Sequence, residues 1–179
     1  MTLRPRAAAL AAATLLLAGC DSAAPPDTIE VAPSTRPCPD SGIRLTTGPT
    51  EAASGLRALR VTLTNCGRTT VELNGYPRLT LLDADREPVE HVTVLEGTDE
   101  ITTGIRDDGP RRITVRPRAG AVTSLVWRNT YDDTSRAPVT APHVTVDPGL
   151  GRGTTTLTPY APFDLGSTGK LGTTAWRSP

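Results

Sequence analysis

Aromatic side chains are scarce. Among 179 residues there are two Trp, three Tyr and one Phe. Tyr76, Trp127, Tyr131, Tyr160, Phe163 and Trp176 are scattered and form no series on which nucleic-acid bases could stack. Lysine is scarcer still: Lys170 is the single one, the other basic residues are arginine, and nineteen basic side chains meet nineteen acidic ones. That balance supplies no electrostatic footprint for nucleic acid. Histidine is limited to His91 and His143 and cysteine to Cys20, Cys38 and Cys66, with no C-x-x-C or H-x-x-x-H spacing. Neither a metal site nor a cofactor is expected from such a set. Helical spacing of apolar residues never persists long enough to define a helix.

A short uncharged run rich in Ala and Leu, residues 7 to 17, follows Arg4 and Arg6. Eleven residues are too few for a bilayer, which needs about 20. A basic start, an apolar stretch and small residues at a cut are the order of a secretory signal. Leu17-Ala18-Gly19-Cys20 completes it in the manner of a lipobox, where the cysteine is acylated and the leader, residues 1 to 19, is removed. Two or more acyl chains on Cys20 would hold the protein stably on the outer face of the cell membrane. Loss of Arg4 and Arg6 leaves 17 basic against 19 acidic side chains, a net charge near minus 2. The stretch from 20 to 37, rich in Pro, Ala, Ser and Thr, reads as a solvated tether ahead of a domain over 38 to 179.

An oxidising location with two cysteines left allows one intramolecular bridge, Cys38 to Cys66. Two free thiols or half of a metal site are the alternatives. From Cys38 onward apolar and polar residues alternate: Leu59, Val61 and Leu63 face one way, and Arg60, Thr62 and Thr64 the other. Turn signals at Asn65-Cys66-Gly67 and Asn74-Gly75-Tyr76-Pro77 separate this run from Val71-Leu73 and from Leu79-Leu81. Further strands are expected at 43 to 47, 89 to 95, 112 to 116, 121 to 128, 143 to 146, 154 to 158 and 171 to 176. Many short strands with close turns point to an all-β protein, an antiparallel immunoglobulin-like β-sandwich.

Three segments, CPDSGIRLTTG, LTNCGRTTVELNGYPRLTLLDADREPV and ITVRPRAGAVTSLVWRN, carry a likeness. Together they resemble the domain of unknown function 4232 family of actinobacterial envelope lipoproteins and secreted proteins. The shared features are Cys38 opening the domain, the Thr64-Asn65-Cys66 turn, Gly75-Tyr76-Pro77 leading into Leu79 to Asp83, and the strand ending at Trp127. The resemblance covers most of 38 to 176 and implies a β-sandwich in an extracytoplasmic location. It brings no catalytic residues, since the family has no assigned activity.

Chemical constellations are sparse. There is no G-x-S-x-G, and His91 falls inside the alternating run Val89 to Leu95, where an outward strand histidine is the plain reading. Asp83-Ala84-Asp85 starts like a calcium loop, but Pro88 and Val94 occupy the positions that need Gly and Glu, so a hairpin turn is expected. Trp127 is expected in the core. These features favour a non-enzymatic binding or structural module of the bacterial envelope, with an envelope protein or wall component as partner. The competing class is an enzyme or metal-dependent protein built on loop carboxylates and a histidine. If every strand crosses the sandwich once, the loops 96 to 111 and 129 to 142 gather at the end away from the tether. Asp99, Glu100, Asp107, Asp108, Asp132 and Asp133 would then form an acidic end able to dock a basic or cation-bearing partner.

Overall fold

The computed structural model describes residues 37–102 and 104–179. The leader over 1 to 19, the Cys20 lipidation position and all of the 20 to 37 tether but Pro37 lie outside the described residues. Twelve strands and no helix form among the described residues. In chain order the first six are β1 (Ile43–Ala53), β2 (Leu56–Asn65), β3 (Val71–Leu73), β4 (Arg78–Leu82), β5 (Thr93–Glu96) and β6 (Ile113–Val115). The rest are β7 (Gly120–Arg128), β8 (Val139–Ala141), β9 (His143–Asp147), β10 (Thr155–Leu157), β11 (Phe163–Gly166) and β12 (Lys170–Thr173).

The largest sheet has the order β1-β2-β7-β12-β5. β1 and β2 form a hairpin whose turn, Ser54-Gly55, has both residues at positive φ, the twist that suits a two-residue connection. Three smaller ladders complete the fold: β10-β9-β4, β11-β8 and β3-β6. Alternation decides the inner face. Leu59, Val61 and Leu63 of β2 and Leu125 and Trp127 of β7 are sealed, and they join one cluster with Leu81, Val144 and Phe163 from the smaller ladders. This is the expected all-β sandwich, with sheets contributing their apolar faces to a shared core. Trp127 lies in the core as expected, tilted against Phe163 with ring centres 4.9 Å apart, and its Nε1 donates to Asp164 at 2.8 Å. Asp164 also accepts from Asn129 at 2.6 Å and Arg57 at 3.2 Å, which ties β11 to the ends of β2 and β7.

Cys38 and Cys66 form the expected disulfide, with Cα atoms 5.7 Å apart. Beside it Asn65 is fully buried and satisfied: its amide donates to the carbonyls of Thr69 and Val115, both at 2.9 Å, and its Oδ1 accepts from the Gly67 N–H. The Asp83 to Glu87 segment is a tight turn, as expected, with Asp83 Oδ1 accepting from the Asp85 and Glu87 N–H groups.

Several strands depart from the sequence reading. β1 does not stop at 47; it passes a register shift between Thr47 and Thr50 and continues to Ala53. Gly48-Pro49 occupies that bulge on an edge strand, where a missing N–H costs no ladder bond. The 89 to 95 strand is shorter and later, because His91 takes φ 61° in a turn and pairing with β12 begins only at Thr93. β5 then runs parallel to β12, the exception in an otherwise antiparallel set of ladders. β8 and β11 were not anticipated, since Pro138, Pro142, Pro162 and Gly166 at their borders read as loop punctuation.

Candidate functional site

The outer face of the large sheet carries a groove of about 980 Å³. Because Leu59, Val61 and Leu125 point inward, the same alternation turns Ala58, Arg60 and Ser124 outward onto its floor, with Arg60 directly opposite Ser124. Gly48 and Pro49 of the β1 bulge lie alongside. Gly48 contributes no side chain, and an added Cβ would touch the Arg60 Cβ at 3.8 Å, so glycine leaves a gap beside Arg60.

One wall is the C-terminal segment. After β12 the chain keeps pairing with β7: the Thr174 N–H donates to Ser124 O at 3.0 Å, and Arg177 and Val122 exchange backbone bonds at 2.8 and 3.0 Å. An irregular step between these pairs is held by buried hydroxyls, with Thr123 Oγ1 donating to Thr174 O at 2.6 Å and lying 3.1 Å from Thr173 Oγ1.

The other wall is the segment 104 to 111, fixed by a latch. The Tyr76 hydroxyl donates to Asp107 Oδ2 at 2.6 Å, and Asp107 Oδ1 accepts from the Ala175 N–H at 3.0 Å. That carboxylate joins three distant parts of the chain. Its hydrogen bond, followed by burial and the negative charges of Asp107, Glu96 and Asp99, pushes the Tyr76 phenol up to about 12. Tyr76 is therefore a fixed donor at neutral pH.

Upstream of the latch, the segment 97 to 101 crosses the outer face of β12 at Gly172. A Cβ there would lie 2.8 Å from Gly97 O and 3.1 Å from the Ile101 side chain, so glycine is what allows the close approach. The Arg128 Nε donates to Ile101 O at 2.9 Å and pins the crossing.

This path redistributes the six carboxylates expected at one end. Asp107 is held at Ala175, whereas Asp132 accepts from Ser167 Oγ at 2.8 Å, and these anchors flank β12 on opposite ends. The structure therefore does not gather the six into one patch. The count of single crossings fails because β3 is only three residues long and because 97 to 101 and 104 to 111 lie along a sheet face. Individually, Asp99 is exposed; Glu100 accepts from Lys170 at 3.0 Å; Asp108 faces Arg106 at 3.8 Å. Asp133 accepts from the hydroxyl and N–H of Ser135 and pairs with Arg136 at 3.2 Å. Those Ser135 bonds first, then Arg136, hold its carboxyl below the usual range.

His143 Nδ1 lies 2.8 Å from Thr158 Oγ1, and His91 lies 4.0 Å from the Glu90 carboxylate. Among the described residues no three of His, Cys, Asp and Glu gather as metal ligands. Sequence reasoning missed Arg60, Arg111 and Arg177, which line the groove together. Alternation does mark Arg60 as outward, but only strand register shows that β2 and the C-terminal segment flank the same strand.

Comparison with known proteins gives one result: the family model described as domain of unknown function (DUF4232) matches residues 38–177. No curated protein and no solved structure matches the chain.

Proposed function

The chain belongs to the DUF4232 family, and on that premise we propose that it is a non-enzymatic binding module of an actinobacterial cell envelope. Cys20 carries a lipid anchor on the outer face of the membrane, and the tether lets the sandwich stand off from it. The Cys38–Cys66 disulfide suits an oxidising compartment. The partner is an envelope protein or a wall component.

The groove carries this reading. Its lining among the described residues includes neither histidine nor cysteine. Of the carboxylates on its wall, Asp107 has both oxygens occupied and Asp108 faces Arg106 at 3.8 Å. A surface of this kind offers shape and charge for recognition, and the one carboxylate it leaves unengaged, Glu51, has no histidine or cysteine beside it in the lining to complete an acid-base pair.

The test is crosslinking in intact cells. A photo-reactive residue at Pro49 or Ser178, both on the groove, should capture one envelope component, and the same residue at the exposed Thr156 of β10 should not. Absence of capture from the groove, or equal capture from Thr156, ends the binding-module reading. Replacement Cys20→Ser should move the protein out of the membrane fraction, and retention there ends the anchor.

A further inference from the structure

Seven charged residues line the groove: Arg60, Arg106, Arg111 and Arg177 against Glu51, Asp107 and Asp108. Three are already engaged. Arg106 and Asp108 face each other at 3.8 Å, and Asp107 is consumed by the Tyr76 hydroxyl and the Ala175 N–H. Among the described residues no ion pair or side-chain hydrogen bond engages Arg60, Arg111 or Arg177. Glu51 is the one acidic side chain left on the groove to set against these three cations.

Their placement follows from the register. Arg60 lies opposite Ser124 on one side of β7, and Arg177 lies opposite Val122 on the other. Two strand spacings of about 4.8 Å and an offset of two residues at about 3.4 Å each put the two backbones roughly 12 Å apart. Both side chains leave the same face, because Val122 and Ser124 share the outward side of β7. Between them runs β7, which puts the small Ser124 on the floor, while Ala58 on the strand of Arg60 and Gly48 on β1 beyond it keep the floor low on that side. Arg111 enters from the wall at the C-terminal end of the segment that the Asp107 latch fixes. Each guanidinium presents five donors in a planar fork that matches the oxygens of a carboxylate or a phosphate.

We propose that the groove is an oxyanion-binding site that takes a ligand with several phosphate or carboxylate groups, held by Arg60, Arg111 and Arg177. This rests on the groove being the contact surface proposed above, and it adds the chemistry of what is bound there. Each guanidinium lost from such a multidentate contact should weaken binding by about tenfold. Binding weakens as salt rises, because the three arginines are solvent-exposed.

The experiment is calorimetric titration of the purified full chain in detergent at low ionic strength, with inorganic tripolyphosphate and, separately, with citrate. The wild type should bind at least one probe, and Arg60→Gln with Arg177→Gln should weaken that binding by about a hundredfold if the two act independently. The pair Arg68→Gln with Arg116→Gln removes the same charge from exposed arginines outside the groove and should leave binding within about twofold. All four positions are exposed, so these variants keep the fold. Binding of tripolyphosphate alone assigns a phosphate ligand; binding of citrate alone assigns a carboxylate ligand. Failure of both probes to bind the wild type, or equal loss in the two double variants, overturns the proposal. In either case, continued crosslinking from Pro49 or Ser178 would leave the groove as a contact surface and remove only its oxyanion chemistry.

Discussion

Replacing Tyr76 by Phe should alter both the stability of the protein and the way that stability depends on pH. In the folded state the phenol ionises at about 12, against 10.0 for an unperturbed tyrosine. At 1.36 kcal/mol per pH unit this corresponds to about 2.7 kcal/mol, and partial solvent access reduces it to the order of 2 kcal/mol. The sign follows from proton affinity: the folded state holds the proton more tightly than the unfolded chain. The stabilisation is therefore fully present below pH 10 and is lost as pH rises through about 12. Phe at 76 removes the bond to Asp107 and with it this dependence. Denaturant unfolding of wild type and Tyr76→Phe across alkaline pH should show a stability gap that narrows by the order of 2 kcal/mol between pH 8 and pH 12. Hydrogen exchange should report faster opening of 104 to 111 in the variant at pH 8, since the latch holds that wall. A constant gap across the range, or ultraviolet titration showing the Tyr76 phenol ionising near 10, would refute the latch.

Two further perturbations test what holds the framework around the groove. Cys38→Ala with Cys66→Ala removes a bridge across 28 residues of sequence and should cost about 3.5 kcal/mol in denaturant unfolding, while a non-reduced digest of the wild type should show the two peptides linked. Asn65→Ala removes the amide donors to Thr69 O and Val115 O, while the Gly67 N–H keeps its bond to Gly42 O, and should cost about 2–4 kcal/mol; a loss below about 1 kcal/mol would mean that water replaces the amide.

The features legible in the chain itself were those with short-range causes. Period-two alternation in β2 sets Leu59, Val61 and Leu63 against Arg60 and Thr62, and burial then chooses the inner face without reference to distant residues. Turn chemistry placed the breaks at Asn65-Cys66-Gly67 and at Asp83 to Glu87, because Asn and Asp side chains bond their own backbone a few residues on. Cysteine count, with Cys20 read as a lipidation position, left Cys38 and Cys66 as the one expected internal pair, and that disulfide is present.

What tertiary structure alone decided was which of these strands became neighbours. Alternation marks a face, but it carries no information on which strand lies beside which. The pairing of Arg177 with Val122 puts the tail two strands from Arg60, and that makes a groove out of residues more than a hundred positions apart. The same holds for the wall: nothing near Asp107 in sequence announces that Tyr76 and the Ala175 N–H will meet it. Gly172 decides it from a distance, since the missing Cβ lets 97 to 101 lie flat on β12 and carries 104 to 111 down the face of the sheet. Fold class was set by local pattern, while the groove and its charges were set by long-range register and one close backbone approach.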